Sequence, residues 1–86
     1  MGRARSMETI LASEYVSIGE LVQLSGMRYS TLKYYTEEGM IPFEQAEENL
    51  TRRYQRTAAL ERIRHIQSLR EQGKSIPEIK TVLTGD

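Results

Sequence analysis

Apolar positions recur with helical spacing in four segments of the chain, and most of these segments have recognisable start and stop signals. Ser17-Ile18-Gly19-Glu20 and Ser75-Ile76-Pro77-Glu78 are capping boxes, in which a serine hydroxyl and a glutamate satisfy each other's backbone N–H groups. Glycines follow the segments, and glycine readily adopts the left-handed backbone that ends a helix. The pattern therefore predicts helices over residues 18–25, 29–38, 58–72 and 76–84.

The apolar stripes of these helices are the predicted core. In the third helix the stripe follows Thr57, which we predict to be its N-cap. In the fourth helix the stripe extends to Val82 and Leu83. The predicted core residues include Leu21, Val22, Leu32, Leu60, Ile63, Ile66, Ile76, Ile79, Val82 and Leu83.

The segment between the second and third helices has a different pattern. Pro42 ends helical structure, because proline disfavours helix for the residue before it. A polar stretch follows, with the β-compatible residues Phe43 and Tyr54 near its two ends. This pattern predicts a short hairpin, or wing, with its tip near residues 46–49.

Only Gly26-Met27-Arg28 separates the first two predicted helices. Two short helices joined by a tight turn that contains glycine form the helix-turn-helix pattern. The predicted fold class is therefore mainly α, a winged helix-turn-helix with about four helices and a short two-stranded wing. We assign this domain to residues 15–86 and predict a flexible basic tail over residues 1–14.

The length and composition exclude several classes of function. The chain of 86 residues has room for one domain, and no apolar run approaches the ~20 residues of a membrane span. The absence of cysteine excludes disulfides and thiolate metal sites, and His65 is the single histidine. No glycine-rich phosphate loop, no framed pair of carboxylates and no nucleophile with a base is present. We therefore expect no enzyme, no cofactor, no metal site and no membrane association, and the lack of cysteine fits a cytoplasmic location.

The formal net charge of zero conceals an uneven distribution of charge. Residues 37–48 contain five acids and no base, whereas residues 51–70 contain six arginines against Glu61 alone. Nine of the twelve basic residues are arginine, which binds phosphate in a two-pronged geometry. A local basic surface is what a phosphate group encounters, so a sum of zero is compatible with DNA binding.

Four fragments of the chain stand in the order and spacing of a known domain. They are Ile18-Gly19-Glu20-Leu21, Leu32-Lys33-Tyr34-Tyr35-Thr36-Glu37-Glu38-Gly39-Met40-Ile41-Pro42, Arg52-Arg53-Tyr54 and Ser75-Ile76-Pro77-Glu78-Ile79. In this respect residues 15–84 resemble the DNA-binding domain of the MerR family of bacterial transcription regulators.

The resemblance implies that the second helix enters the major groove and that the wing lies along the flanking backbone. It implies phosphate contacts by Tyr35 and Arg53, with Lys33 on the same surface. Tyr29 and Ser30 lie near the start of the helix, where recognition helices meet base edges. The candidate DNA-binding residues are Ser17, Arg28, Tyr29, Ser30, Lys33, Tyr35, Arg52, Arg53 and Arg56.

Several positions depart from the family pattern. Arg28 stands where the family has a serine cap, and Leu50-Thr51 replaces a Gly-Tyr pair of the wing. The acids Glu44, Glu47 and Glu48 lie at the wing, where they repel phosphate. The long dimerisation helix and effector domain of the family do not follow helix four within this sequence.

These observations support sequence-specific binding of double-stranded DNA, by a transcription regulator of this type or its isolated DNA-binding domain. One alternative is an architectural, segregation or excision factor that self-associates on tandem DNA sites. Another is a winged-helix module that binds proteins, which the acidic wing and zero net charge favour.

Overall fold

The structure, a computed structural model, describes residues 5–47 and 50–85. The described residues are mainly helical with one two-stranded antiparallel sheet, which confirms the predicted winged-helix fold class. The elements in chain order are α1 (Met7–Ala12), β1 (Tyr15–Val16), α2 (Ile18–Ser25), α3 (Tyr29–Glu37), β2 (Tyr54–Gln55), α4 (Arg56–Glu71) and α5 (Ile76–Thr84). Across this described part of the chain, no helix combines the length and apolar character that crossing a membrane requires.

Both predicted capping boxes are present. The Ser17 hydroxyl accepts the Glu20 N–H at 3.2 Å, and the Glu20 carboxylate accepts the Ser17 N–H at 2.9 Å. The same pair of bonds forms between Ser75 and Glu78 at the start of α5. Gly26 ends α2 with a φ of 74°, a left-handed backbone in which other residues are strained. The predicted bounds of α2 and α5 are therefore confirmed.

The other two predicted helices differ at their ends. α3 ends at Glu37, one residue before its predicted end. α4 begins at Arg56 because strand β2 continues directly into it, and the side chain of Gln55 accepts the Ala58 N–H at 2.7 Å. The prediction that Thr57 caps this helix is therefore wrong.

Helix α1 was not predicted. Ser6 caps it through the Thr9 N–H at 3.2 Å, and Ile10 is fully buried. A six-residue helix is marginal on its own, so tertiary packing must stabilise it. The prediction of a flexible tail over residues 1–14 is therefore wrong for residues 7–12, and its residues 1–4 lie outside the described residues.

Arg5 fastens the start of α1 to the rest of the domain. Its guanidinium donates to both carboxylate oxygens of Glu20, at 2.7 and 2.6 Å. It also donates to the Ser13 hydroxyl at 2.9 Å and to the Tyr15 carbonyl at 3.2 Å. Arg5, assigned from the sequence to the flexible basic tail, is therefore an ion-paired residue of the fold.

The sheet pairs β2 with β1, near the N-terminus, rather than with the other arm of the wing. Val16 lies opposite Tyr54 in an antiparallel register. The wing is defined here as residues 42–53, and in its described part Glu44 and Arg53 form a β-bridge. Of its predicted tip, residues 48 and 49 lie outside the described residues.

The core lies between α2, α3, α4 and α5, and α4 packs against α2, β2 and α5. Its buried members come from every helix and from both strands. They are Ile10, Val16, Leu21, Leu32, Tyr35, Met40, Ile41, Tyr54, Ala59, Ile63, Ile66, Leu69 and Ile79. Val22, Leu60, Ile76 and Leu83 pack against this core while partly buried, whereas Val82, predicted as core, is 44% exposed.

One buried polar contact joins α3 to β2. The Thr36 hydroxyl donates to the Leu32 carbonyl at 2.8 Å and lies 2.9 Å from the Tyr54 hydroxyl. Because the single hydrogen of Thr36 is used by Leu32, Tyr54 must be the donor to Thr36. Both residues are almost fully buried, and among the described residues the Tyr54 hydroxyl has Thr36 as its partner, whereas Thr36 also has the Leu32 carbonyl.

We expect Thr36→Val to lower the free energy of unfolding more than Tyr54→Phe. The valine leaves the Tyr54 hydroxyl buried without an acceptor, at a cost of about 1–3 kcal/mol, whereas the phenylalanine removes one bond worth about 1 kcal/mol. The double variant should cost less than the sum of the two, because no unpaired hydroxyl remains. Urea unfolding monitored by circular dichroism measures the free energy of unfolding of the two single variants and the double variant. Strict additivity would contradict the hydrogen bond from Tyr54 to Thr36.

The Arg5–Glu20 pair predicts a pH dependence of stability. Hydrogen bonding from Arg5, partly opposed by burial and assisted by the Ser17 N–H, lowers the pKa of Glu20 to about 2 from 4.5. The stabilisation of the fold by the ionised Glu20 carboxylate is therefore present above pH 4.5 and is lost as the pH falls through about 2. At pH 7, Arg5→Ala should lower the free energy of unfolding by about 1 kcal/mol or less, since Arg5 is partly exposed. Urea unfolding should show that this decrease becomes smaller toward pH 2.

A Glu20→Gln background is the control for that series, because glutamine does not titrate. There the cost of Arg5→Ala should not vary between pH 5 and pH 2. A cost that is equally constant in the Glu20 background would contradict the ion pair.

Candidate nucleic-acid interface

One face of α3 is exposed while the other is buried in the core. Leu32, Tyr35 and Thr36 are buried. Successive exposed residues are one or three positions apart, and Tyr29, Lys33 and Glu37 are four apart, as expected for one side of a helix. They are Arg28 at the N-cap, followed by Tyr29, Ser30, Lys33, Tyr34 and Glu37. Two aromatic rings, two bases, the Ser30 hydroxyl and the Glu37 carboxylate therefore lie on the outward face of the second helix of the helix-turn-helix.

The structure buries one of the two adjacent tyrosines of α3 and exposes the other. Tyr35, predicted to contact phosphate, is only 2% exposed, and its hydroxyl accepts a hydrogen bond from Arg70 at 3.3 Å. Tyr34 is 45% exposed. Adjacent helical residues point about 100° apart, and the core side of α3 falls on Tyr35. The burial of Tyr35 therefore argues against the predicted phosphate contact. The tyrosine exposed on the outward face is Tyr34, which was not among the predicted site residues.

Arg28 replaces the family's serine cap without altering where α3 begins. Its backbone is extended, and its side chain makes no capping hydrogen bond. The N-terminal N–H groups of α3 therefore lack a side-chain cap, in contrast to those of α2 and α5. Unsatisfied N–H groups and the helix dipole together favour an anion at such an end.

The wing arginines lie on two different aromatic rings. The guanidinium carbon of Arg52 is 4.9 Å from the centroid of the Phe43 ring, and that of Arg53 is 5.4 Å from the Tyr15 ring. Neighbouring residues of an extended segment point to opposite sides, which explains why Arg52 and Arg53 lie on different rings. Among the described residues, neither guanidinium forms a hydrogen bond or an ion pair with protein.

Glu44 departs from the expectation that the acids of the wing simply repel phosphate. Its carboxylate accepts a hydrogen bond from the Tyr15 hydroxyl at 2.7 Å. That bond, together with the charge of the Glu44 carboxylate, raises the pKa of the Tyr15 hydroxyl above its ordinary value. Glu47 is exposed, and Glu48 lies outside the described residues.

Ser17 lies beside the wing, at the start of α2. A shallow surface depression is lined by Tyr15, Ser17, Thr51, Arg52 and Arg53, together with Arg5 and Glu20. The structure therefore brings the α2 N-terminus and the wing bases to one place on the surface. The Ser17 oxygen is used as an acceptor by the Glu20 N–H, which leaves its hydrogen available for donation.

Three arginines of α4 each use part of the guanidinium in a hydrogen bond within the protein. Arg56 donates its Nε–H to the Ser13 carbonyl at 2.9 Å, and its backbone N–H to the Glu14 carbonyl at 2.8 Å. Arg62 donates to the Met40 carbonyl at 2.7 Å. Arg70, as described above, donates to Tyr35. Arg56 was predicted as a DNA contact. The sequence signalled neither of these carbonyl partners, because they are distant along the chain.

Metal ligands do not cluster in the described residues, where no group of three or more His, Asp or Glu side chains converges. Acidic side chains near α3 are partly engaged, since Lys80 of α5 pairs with Glu38 at 2.9 Å. The outward surface of α3 and the wing carries arginine, lysine, tyrosine and serine side chains, together with the exposed carboxylates of Glu37, Glu44 and Glu47.

Comparison with known proteins agrees with this architecture. The family model of the MerR HTH family regulatory proteins matches residues 16–86. No curated protein and no solved structure matches the chain. The match begins in β1 and includes α2, α3, the wing, α4 and α5. The chain therefore belongs to the MerR family of helix-turn-helix regulatory proteins.

Proposed function

We propose that the chain binds double-stranded DNA in a sequence-specific manner and acts as the DNA-binding domain of a transcription regulator. The exposed face of α3 enters the major groove, and the wing lies along the adjacent phosphate backbone. Binding of this kind locates the protein at the nucleoid of a bacterial cytoplasm.

The outward face of α3, with the wing arginines, supports this proposal most strongly. Arg28, Lys33 and Tyr34 are exposed along one side of a short helix, and the opposite side is fixed in the core. Arg52 and Arg53 rest on aromatic rings with their donor groups unengaged by protein in the described part of the chain. Exposed bases with planar donors are suited to phosphate, and a rigid helix is suited to a groove.

The candidate residues divide by the chemistry of their side chains. Tyr29 and Ser30, near the start of α3, are placed to meet base edges. Lys33, Tyr34 and Arg53 are placed to contact phosphate, which sets register rather than sequence preference. Ser17, Arg28, Arg52 and Arg56 are proposed as flanking phosphate contacts, with Arg56 using the terminal nitrogens that its bond to Ser13 leaves over.

Selection from a randomised duplex library at near-physiological salt tests the proposal. Sharp enrichment of a few related sequences supports sequence-specific binding. Inverted half-sites indicate a dimeric regulator, and tandem half-sites indicate head-to-tail assembly by an architectural factor. Failure to enrich any sequence would contradict the proposal and favour the alternative of a protein-binding module.

Salt dependence provides a prediction about the phosphate contacts. If about four to six contacts form, the slope of log K against log salt should be about −4 to −5. Arg53→Ala and Lys33→Ala should each reduce the magnitude of that slope by about 0.9 and weaken binding to all sequences alike. Fluorescence anisotropy measures the slope, and Arg64→Ala, an exposed arginine of α4, is the matched control. An Arg53→Ala variant that binds as tightly as wild type would exclude the wing contact.

The two tyrosines provide a second prediction. Tyr34→Phe should weaken DNA binding by about fivefold, which corresponds to about 1 kcal/mol for one hydroxyl contact, without altering stability. Tyr35→Phe should change affinity by less than about twofold and instead lower the free energy of unfolding by about 1 kcal/mol or less, because it loses only the Arg70 bond. Anisotropy and urea unfolding of both variants separate these effects, and the reverse result would restore Tyr35 as the contact.

A further inference from the structure

Tyr15 contacts both arms of the wing at once. Its hydroxyl donates to Glu44 Oε2 at 2.7 Å, and its ring centroid lies 5.4 Å from the Arg53 guanidinium carbon. The second distance lies within the range at which a cation is attracted to the face of an aromatic ring. Glu44 belongs to the first arm of the wing in chain order, the incoming arm. Arg53 belongs to the second arm, which leads into β2 and is called the outgoing arm.

Glu44 and Arg53 lie directly opposite each other across the wing. The N–H of Glu44 donates to the Arg53 carbonyl at 2.7 Å, and the N–H of Arg53 donates to the Glu44 carbonyl at 2.8 Å. Directly opposed residues of an antiparallel pair have their side chains on the same face, with Cβ atoms about 4.5–5.5 Å apart. A glutamate and an arginine so placed ordinarily form a cross-strand ion pair.

That ion pair does not form here. Glu44 makes its hydrogen bond with Tyr15, and the ion pairs among the described residues are those of Arg5 with Glu20 and Lys80 with Glu38. An ion pair with Glu44 would engage the donors of Arg53 and oppose its charge at the same time. Both effects weaken the attraction of Arg53 for a phosphate group.

We propose that Tyr15 is a positioning residue of the wing: its hydroxyl holds the Glu44 carboxylate away from Arg53, and its ring supports the Arg53 guanidinium. Arg53 thereby remains available to bind a phosphate of DNA. This inference rests on the proposed function, and it assigns a role to a residue that lies outside α3 and outside the wing itself.

The backbone around Tyr15 is held firmly enough for such a role. Residue 15 pairs with Gln55 in the sheet, and its carbonyl accepts a hydrogen bond from Arg5 at 3.2 Å. The preceding carbonyl, of Glu14, accepts the N–H of Arg56 at 2.8 Å. The ring is therefore fixed by contacts on both sides along the chain, and a hydroxyl at its end has a defined position.

Tyr15→Phe tests the proposal because it removes the hydroxyl alone and retains the ring and the strand. We expect DNA affinity to fall about fivefold at moderate salt, less than in Arg53→Ala, with a less steep salt slope. The cause is that Glu44, released from Tyr15, pairs with Arg53. Urea unfolding checks that the variant folds, since the backbone pairs of β1 are unchanged.

A second substitution distinguishes positioning from direct contact. Adding Glu44→Gln to Tyr15→Phe should restore affinity to within about twofold of Glu44→Gln alone, because glutamine cannot neutralise Arg53. A double variant as weak as Tyr15→Phe would overturn the proposal and show that the hydroxyl itself contacts DNA or only stabilises the fold. An unchanged affinity of Tyr15→Phe would overturn it as well.

A measurement without DNA keeps this inference distinct from the proposed function. In NMR spectra of the free protein, Tyr15→Phe should slow solvent exchange of the Arg53 Nε–H and shift its signal, as expected for a new carboxylate acceptor. The shift should be absent in the variant that also carries Glu44→Gln. Wild-type protein that binds no DNA would refute the proposed function, whereas an unaffected Arg53 signal would refute the role of Tyr15.

Discussion

The hydrogen bond between the Thr36 and Tyr54 hydroxyls is the constraint on which the arrangement of the candidate interface depends. Thr36 belongs to α3, and Tyr54 follows the wing arginines directly and begins β2. Both side chains are buried, so this bond cannot be exchanged for one with water. It therefore fixes the outward face of α3 relative to the outgoing arm of the wing. The pairing of Tyr54 with Val16 adds the strand that carries Tyr15 to the same assembly.

Local signals in the sequence were sufficient to predict most of the helices. The capping boxes at Ser17 and Ser75 place the starts of α2 and α5 correctly, because the hydrogen bonds of a cap involve residues only three apart. The glycine after α2 likewise marks its end through a backbone conformation that glycine adopts at low cost. The winged-helix class followed from the order of these elements, and the family match agrees with it.

The features that sequence reasoning missed depend on contacts between distant residues. Helix α1 is stabilised by the burial of Ile10 and by the bonds of Arg5 to Glu20, neither of which a six-residue segment reveals. The partner of β2 is near the N-terminus, about forty residues away, rather than in the adjacent arm of the wing. Tyr34 and Tyr35 are indistinguishable by residue type, and only the packing of α3 decides which one is exposed. The resemblance to the family suggested Tyr35, and the structure presents Tyr34.

Nuclear magnetic resonance of the protein titrated with duplex DNA at low salt tests the central claim that α3 and the wing form one DNA-binding surface. The account predicts that backbone amide signals of residues 28–34 and 51–53 shift together on binding, along with those at the start of α2. Signals of α5, which packs against α4 and carries none of the proposed contacts, should change little. Shifts confined to α4 and α5, or no shifts at all, would contradict the claim.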